Sequence, residues 1–138
     1  PCYFPDYFRF PYGASDCTSM EIVRRRGQGV AGVNLHSQDW CYAVGGGTCS
    51  PALVPDIEPE VIDDLPGKVL IEYAQHGGGI LLLHDIHATT AAALPTILAD
   101  LDAAGATFVD LADGSVFPNL NAEIFAPEAP ACCVSVAP

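Results

Sequence analysis

The amino-acid sequence predicts an α/β fold in which helices alternate with the strands of a parallel sheet. Strand-like apolar segments at 7–10, 30–35, 80–83 and 107–111 are separated by segments with helical patterns. The segment Ile80–Leu83 is continuously apolar, as a strand buried on both faces of a parallel sheet requires. Strand–helix–strand connections of this length are right-handed and make the two strands parallel neighbours.

The first half of the chain is predicted to contain two strands with one helix between them. The strand Tyr7–Phe10 is stopped by the Pro-Tyr-Gly sequence that follows it. Ser15 or Asp16 can cap a helix that runs to about Arg26, where glycines end it. The strand 30–35 comes next and opens into a polar loop at 36–40.

The second half of the chain is predicted to contain two helices and two strands. Pro59 suits the first turn of a helix that would include Asp63 and Asp64. The strand Ile80–Leu83 follows, and Thr89 or Thr90 caps the next helix, which ends near Ala104 before the strand Thr107–Leu111. Residues 1–113 are thus predicted to form the folded domain and residues 114–138 an extended tail rich in proline and alanine. The buried face of the helix after Pro59 would comprise Val61, Leu65, Val69, Ile71 and Tyr73.

The charge and hydropathy of the chain exclude two classes of function. Its 138 residues include five basic and seventeen acidic side chains, a net charge of −12 that opposes nucleic-acid binding. Apolar runs such as Ile80–Leu83 are far shorter than the roughly 20 residues that span a bilayer. We therefore expect no nucleic-acid partner and no membrane span.

Cysteine usage indicates an oxidising compartment. Six cysteines without a CxxC pair favour disulfides over a metal cluster, so we expect a secreted, periplasmic or cell-surface protein. Cys41 and Cys49 flank a short glycine-containing loop and are predicted to be bonded to each other, the alternative being buried free thiols. The partners of Cys2, Cys17, Cys132 and Cys133 stay open.

Polar residues follow three of the predicted strands. They lie at Arg9–Gly13, at His36–Trp40 and at His84–His87. Because functional groups of parallel α/β folds gather at the carboxyl ends of the strands, we expect these side chains to converge on one site.

Three short motifs carry a resemblance to a known family. RFPYG at 9–13, SQDW at 37–40 and LLLHDIH at 81–87, in this order and spacing, resemble the polysaccharide deacetylases, or NodB-homology carbohydrate esterases. The resemblance continues through 84–111 and covers about Tyr7 to Leu111. It implies a distorted (β/α) barrel of which this chain is the C-terminal half, that is, a partial barrel of parallel strands. It also implies metal-assisted hydrolysis that removes acetyl groups from N-acetylated or O-acetylated sugars of a polysaccharide or oligosaccharide.

The resemblance assigns catalytic roles to three residues. His84 matches the general acid that protonates the leaving amine, a role that suits imidazole. Asp39 matches the carboxylate that orients this histidine. Arg9 matches the residue that binds the catalytic-base aspartate by a charge-assisted hydrogen bond. The plainer alternatives are a histidine bonded at the sheet edge, a loop-capping aspartate and an arginine in a surface ion pair.

The resemblance also assigns a substrate-binding set. The backbone N–H of Tyr12 matches a donor to the oxyanion of the tetrahedral intermediate, and Pro11 lies beside it in the same motif. Trp40 and Leu82 match apolar walls around the acetyl methyl group, and the alternative for Trp40 is a core aromatic. His36 departs from the family pattern, which more often has an aspartate there.

The metal ligands and the base of that family are absent from the chain's motifs. The family takes an Asp–His–His triad and an aspartate base from two earlier motifs, and nothing equivalent precedes Arg9. We therefore expect a divalent metal, with zinc as the first choice, to be bound by residues outside this chain. The partner would be the missing N-terminal half of the domain or another chain, and this segment alone would be inactive. The alternatives are a non-catalytic carbohydrate-binding or scaffold module and a small secreted α/β domain with an accidental resemblance.

Overall fold

The computed structural model describes residues 5–124 of the chain. It divides them into two compact units. The terminal unit contains residues 5–32 and 108–124, and the central unit contains residues 33–107.

The terminal unit is built on a short parallel strand pair. β1 (Tyr7–Phe8) pairs with β2 (Gly29–Val30), with Tyr7 opposite Gly29 and Phe8 opposite Val30. A 3-10 turn (Pro11–Gly13) and helix α1 (Cys17–Arg25) connect the two strands, and helix α5 (Pro118–Ile124) belongs to the same unit.

Helix α1 begins where the sequence predicts it. The Asp16 carboxylate accepts the Ser19 backbone N–H at 2.7 Å, and the Ser19 hydroxyl oxygen accepts the Asp16 N–H at 3.0 Å. These two bonds satisfy donors that the first helical turn leaves unpaired. Asp16 is therefore the helix cap, which confirms one of the two predicted cap residues.

The central unit contains the second parallel pair and three helices. β3 (Leu35–His36) pairs with β4 (Leu81–Leu82), with Leu35 opposite Leu81 and His36 opposite Leu82. Helix α2 (Asp39–Val44), a 3-10 turn (Pro59–Val61) and helix α3 (Leu65–His76) connect these strands. Helix α4 (Ala88–Ala103) follows β4. Short parallel strands joined through helices are compatible with a partial barrel.

The core of the central unit packs α3 and α4 against the α2 segment. Cys41 and Cys49 are disulfide-bonded within it, as the sequence predicts. The hydroxyl of the buried Tyr42 donates to the Val61 carbonyl and so fixes α2 to the segment before α3. Burial raises the pKa of this Tyr42 hydroxyl to about 12, with the nearby Asp64, Glu58 and Asp63 carboxylates adding to the shift. On the predicted helix face Val61, Leu65 and Val69 are buried, whereas Ile71 and Tyr73 are only partly buried.

Two predicted strands differ in the structure. The segment 30–35 is split, because its first part hydrogen-bonds to β1 and its last part to β4: the Ala31 N–H donates to Phe8 O, and the Leu35 N–H donates to Ile80 O. The segment 107–111 is not a strand. A strand needs a neighbour for its backbone groups, and within residues 5–124 this segment pairs with none, leaving Phe108 59% and Val109 44% exposed.

Three predicted boundaries are also wrong. The polar segment after β3 is not all loop, because α2 begins at Asp39. Asp64 is the N-cap of α3 and accepts the Gly67 N–H at 3.0 Å, so the pair Asp63-Asp64 does not lie inside a helix. The N-cap of α4 is His87, and neither predicted threonine fills that position.

The segment predicted as an extended tail contains structure in its described part. Helix α5 occupies 118–124, and residues 125–138 lie outside the described range. The Tyr7 hydroxyl donates to Asn121 Oδ1 at 2.7 Å, which ties α5 to β1. The composition of the segment does not predict this long-range contact, and so it does not predict the helix.

None of the helices within residues 5–124 combines the length and the apolar composition that a membrane span needs.

Candidate active site

The parallel pairing of β3 with β4 brings two of the predicted catalytic residues together. Asp39 follows β3 by three residues and His84 follows β4 by two, so both leave the strand pair at its carboxyl end. His84 Nδ1 lies 2.7 Å from Asp39 Oδ1. The predicted contact between this carboxylate and one ring nitrogen is confirmed.

The Asp39 carboxylate is completely buried and is surrounded by hydrogen-bond donors. Its Oδ2 accepts the His84 backbone N–H at 2.6 Å and the Thr90 hydroxyl at 2.8 Å, while Oδ1 faces the imidazole ring. Asp39 therefore binds both the main chain and the side chain of His84, which fixes the position and the direction of the ring.

Ser37 fixes the turn that precedes Asp39. Its hydroxyl donates to the Leu82 carbonyl oxygen at 2.6 Å, and its oxygen accepts the Asp39 N–H at 3.2 Å. Gln38 adopts a left-handed conformation with φ 57°, which turns the chain from β3 directly into α2. The result is that Asp39 enters the first helical turn while remaining next to β4.

The hydrogen bonds at Asp39 decide its ionisation. Burial raises the pKa of a carboxyl, but the bonds from His84 and Thr90 to the ionised form outweigh it, and the pKa of Asp39 lies below its usual value. Asp39 is thus a carboxylate at neutral pH and can only accept hydrogen bonds. The proton in the 2.7 Å contact consequently belongs to His84 Nδ1, and Nε2 is the nitrogen that can exchange a proton.

The arrangement fits general acid–base chemistry better than a nucleophilic triad. The His84 side chain is 38% exposed, and Nε2 has no hydrogen-bond partner in the described part of the chain. Ser37 is buried and its hydroxyl is engaged by Leu82, so it does not reach Nε2 as a nucleophile would. An imidazole with one nitrogen bound to a carboxylate and the other open can donate or accept one proton.

Trp40 and Leu82 lie in the same unit as this pair. Trp40 packs against the core, and its indole N–H donates to Gln38 Oε1 at 3.0 Å. Leu81 and Leu83 also contact the core. Because successive side chains of a strand alternate between its faces, the partly buried Leu82 belongs to the opposite face.

Arg9, Pro11 and Tyr12 belong to the terminal unit. Tyr12 has φ 57°, an unusual conformation for a residue other than glycine, and its side chain is fully exposed. The turn is closed by the Gly13 N–H donating to Phe10 O and the Ala14 N–H donating to Pro11 O, and neither bond uses the Tyr12 amide. Arg9 is partly buried and forms no ion pair with another described residue.

The described residues do not fit a metal centre by themselves. Between residues 5 and 124, no three His, Cys, Asp or Glu side chains come together in a way that could bind a metal ion. His84 and His87 have ring centroids 5.9 Å apart, but no third ligand joins them. The zinc that the family resemblance implies therefore has no ligand set in this part of the chain.

Sequence reasoning missed two residues of the site, Ser37 and Thr90. Ser37 lies inside the SQDW motif without a predicted role, and the sequence predicts Thr90 only as one of two candidate helix caps, a common use of threonine at a helix start. The sequence signal that could have identified them is their position just after the polar ends of two strands. A hydroxyl side chain at such a position can form a hydrogen bond to the end of the neighbouring strand.

Comparison with known proteins gives one set of relatives. Peptidoglycan-N-acetylglucosamine deacetylases PgdA from three strains of Listeria monocytogenes are each 29% identical to this chain over 109 residues. The match covers 79% of this chain but 19% of each relative, so the chain spans about a fifth of the length of the curated relatives it matches. No protein-family profile and no solved structure matches the chain. The similarity supports a relationship to polysaccharide deacetylases in general.

Proposed function

We propose that this chain supplies the general acid of a carbohydrate deacetylase that removes acetyl groups from N-acetylated sugars of a polysaccharide such as peptidoglycan. The observation that carries the proposal is the Asp39–His84 pair, with one ring nitrogen bound to a buried carboxylate and the other open. The similarity to the Listeria PgdA proteins supports the substrate class.

The proposed step of His84 is the collapse of the tetrahedral intermediate. Water adds to the acetyl carbonyl carbon and gives a proton to a base outside this chain. Protonated His84 then donates its Nε2 proton to the sugar nitrogen as the C–N bond breaks, so the products are acetate and the free amine. Asp39 keeps the Nδ1 proton on the ring throughout and holds the ring in one orientation. An O-acetylated sugar would receive the same proton on its leaving oxygen.

The remaining predicted site residues take binding roles in this proposal. The Tyr12 N–H, which the turn does not use, would donate to the oxyanion, with Pro11 setting the turn beside it. Arg9 would hold the external base by a charge-assisted hydrogen bond. Leu82 would contact the acetyl methyl group. The part of the Trp40 ring that the core leaves uncovered would contact the same group.

The base and the metal ligands would come from outside this chain, from a preceding segment of the same protein or from another chain. A divalent metal such as zinc would supply Lewis-acid activation of the attacking water. A secreted, periplasmic or cell-surface location fits the disulfide between Cys41 and Cys49, since such bonds persist in oxidising compartments.

A second candidate is a non-catalytic carbohydrate-binding or scaffold module. It is favoured by the absence of a three-ligand cluster among residues 5–124. It does not account for an ionised, completely buried aspartate directed at a half-exposed histidine. Burying a charge costs free energy, and a module without catalysis has no need of this buried carboxylate. We therefore rank this candidate below the deacetylase.

The test is acetate release from N-acetylglucosamine oligomers by the active protein in which this chain is joined to its base and metal ligands. We expect His84→Ala to lower turnover by about 10²–10⁴, the usual contribution of general acid–base catalysis. His87→Ala, which removes the neighbouring ring, is the matched control and should keep most of the activity. The 138-residue chain alone should release no acetate. Wild-type turnover in His84→Ala would refute the proposal.

A further inference from the structure

The hydroxyl of Thr90 is placed to control the orientation of Asp39. Thr90 lies in the first turn of α4 and is 3% exposed, and its Oγ1 is 2.8 Å from Asp39 Oδ2. A threonine hydroxyl has one proton to donate. In a helix that proton often bonds to a carbonyl of the preceding turn, but here Thr90 directs it to a residue 51 positions away.

This bond completes the set of donors on one carboxylate oxygen. Oδ2 receives both the His84 backbone N–H and the Thr90 hydroxyl, whereas Oδ1 faces the His84 ring and lies 3.2 Å from the Ser37 hydroxyl. Two donors arriving from different elements prevent rotation of the carboxylate about its Cβ–Cγ bond. They also stabilise its negative charge in a buried place, since hydrogen bonds to an ionised group are the strong ones.

We infer that Thr90 is a positioning residue that fixes the Asp39 carboxylate so that His84 keeps its proton on Nδ1 and presents Nε2 to the substrate. The inference rests on the proposed function and adds a residue to it. Thr90 acts through Asp39 and touches no reacting atom.

The neighbouring threonine offers a matched control. The Thr89 hydroxyl oxygen is also buried but has no hydrogen-bond partner among the described residues. Thr90→Val and Thr89→Val make the same change in shape, one residue apart on the same helix. Only the first removes a donor from Asp39, while Thr90→Ser keeps that donor.

The first test is NMR on the 138-residue chain and needs no catalysis. In the unmodified chain we expect a Thr90 hydroxyl proton that exchanges slowly with water and shows a nuclear Overhauser effect to the His84 amide proton. In Thr90→Val the carboxyl ¹³C titration of Asp39 should move to higher pH, because the ionised form loses a donor. Thr89→Val and Thr90→Ser should titrate like the unmodified chain.

The second test is kinetic and uses the active protein. Thr90→Val should lower kcat by about 10–100-fold with little change in KM, by analogy with the range seen when residues that orient metal-ligating side chains are removed. Thr90→Ser should keep most of the activity. An unshifted Asp39 titration in folded Thr90→Val would overturn the inference. A Thr90 hydroxyl proton without contact to the His84 amide proton in the unmodified chain would also overturn it, and that measurement does not require Thr90→Val to fold. If the NMR results are as expected but the unmodified protein never releases acetate, the proposed function fails and the Thr90–Asp39 bond stands.

Discussion

At the scale of single residues, the chemistry of the site depends on which nitrogen of His84 carries the proton. The backbone N–H of His84 and the Thr90 hydroxyl occupy Asp39 Oδ2, and the ring occupies Oδ1. Since the pKa of Asp39 is lowered by these bonds against the opposing effect of burial, the carboxylate does not take the ring proton at neutral pH. One buried carboxylate thus sets the tautomer and the direction of the imidazole.

This geometry makes a specific prediction for Asp39→Asn. An amide has one acceptor oxygen and one NH₂ group, so its NH₂ must face either the His84 backbone N–H or the ring Nδ1. A backbone N–H cannot become an acceptor, whereas a neutral ring can move its proton to Nε2. We expect the second arrangement, in which ¹⁵N NMR of the chain shows the neutral His84 ring protonated at Nε2.

If the proposed function holds, the same substitution should lower the turnover of the active protein by at least about 10-fold, up to the 10²–10⁴ that general acid catalysis contributes. Asp85→Asn is the control, because Asp85 lies next to His84 in sequence, is exposed and forms no hydrogen bond with the described residues. A His84 ring that stays protonated at Nδ1 in Asp39→Asn would contradict the assigned geometry.

At the scale of elements, a buried ion network fixes helix α3 to the end of strand β3. Lys68 Nζ lies 2.9 Å from Glu72 Oε1 and 3.1 Å from Glu58 Oε2, and the Glu72 Oε2 accepts the His36 N–H at 3.1 Å. A buried lysine that keeps its charge needs partners of this kind, because an uncompensated buried charge is strongly destabilising. The network therefore positions the last residue of β3, immediately before the turn that leads to Asp39.

The network and the site together predict how the stability of the chain depends on pH. The pKa of Glu72 is lowered, because the bonds from Lys68 and His36 outweigh the effect of burial, and the pKa of Asp39 is lowered as well. The stability that these carboxylates add is present above their unfolded pKa values, near 4, and is lost as the pH falls through the folded pKa values.

On the alkaline side the dependence comes from Lys68. Burial lowers the pKa of this lysine, but its bonds to Glu72 and Glu58 outweigh burial, so the pKa of Lys68 is raised. Its contribution is present below about 10.4 and is lost as the pH rises through the folded value.

Urea unfolding at a series of pH values measures how the free energy of unfolding depends on pH. Trp40, the only tryptophan of the chain, is the fluorescent probe and reports on the central unit. We expect a plateau between these limits and a loss of unfolding free energy on both sides. Glu72→Gln should lower the plateau and flatten the acid side, whereas Glu60→Gln, at an exposed position, should do neither. If the free energy of unfolding of Glu72→Gln falls with decreasing pH as steeply as that of the unmodified chain, this network does not cause the loss of stability in acid.

Local sequence signals predicted the elements whose causes are local. The Asp16 cap, the apolar segment that forms β4 and the Cys41–Cys49 bond all depend on residues near one another in sequence. The strand predicted at 107–111 would need a neighbouring strand to pair with, and the local sequence pattern does not show whether such a strand is present. In the site, the family resemblance that the motifs carry predicted Asp39 beside His84. The roles of Ser37 and Thr90 arise from contacts across strands that no local pattern encodes.

At the scale of the whole molecule, the residues that the sequence predicts for the site belong to two compact units. Asp39, Trp40, Leu82 and His84 belong to the central unit, and Arg9, Pro11 and Tyr12 belong to the terminal unit. The chain matches about a fifth of each Listeria relative. The proposed reaction also requires metal ligands, and residues 5–124 contain no such cluster. The proton donation proposed for His84 involves side chains of the central unit only.

The measurement that tests this assignment most directly compares two leaving groups in the active protein. An amine must be protonated to leave, but 4-nitrophenolate leaves as a stable anion, so a general acid matters for one substrate and not for the other. We predict that His84→Ala lowers kcat/KM by about 10²–10⁴ on an N-acetylglucosamine oligomer and by less than about 10-fold on 4-nitrophenyl acetate. Equal losses on both substrates would contradict proton donation by His84 and would assign the residue a role in binding or in folding instead.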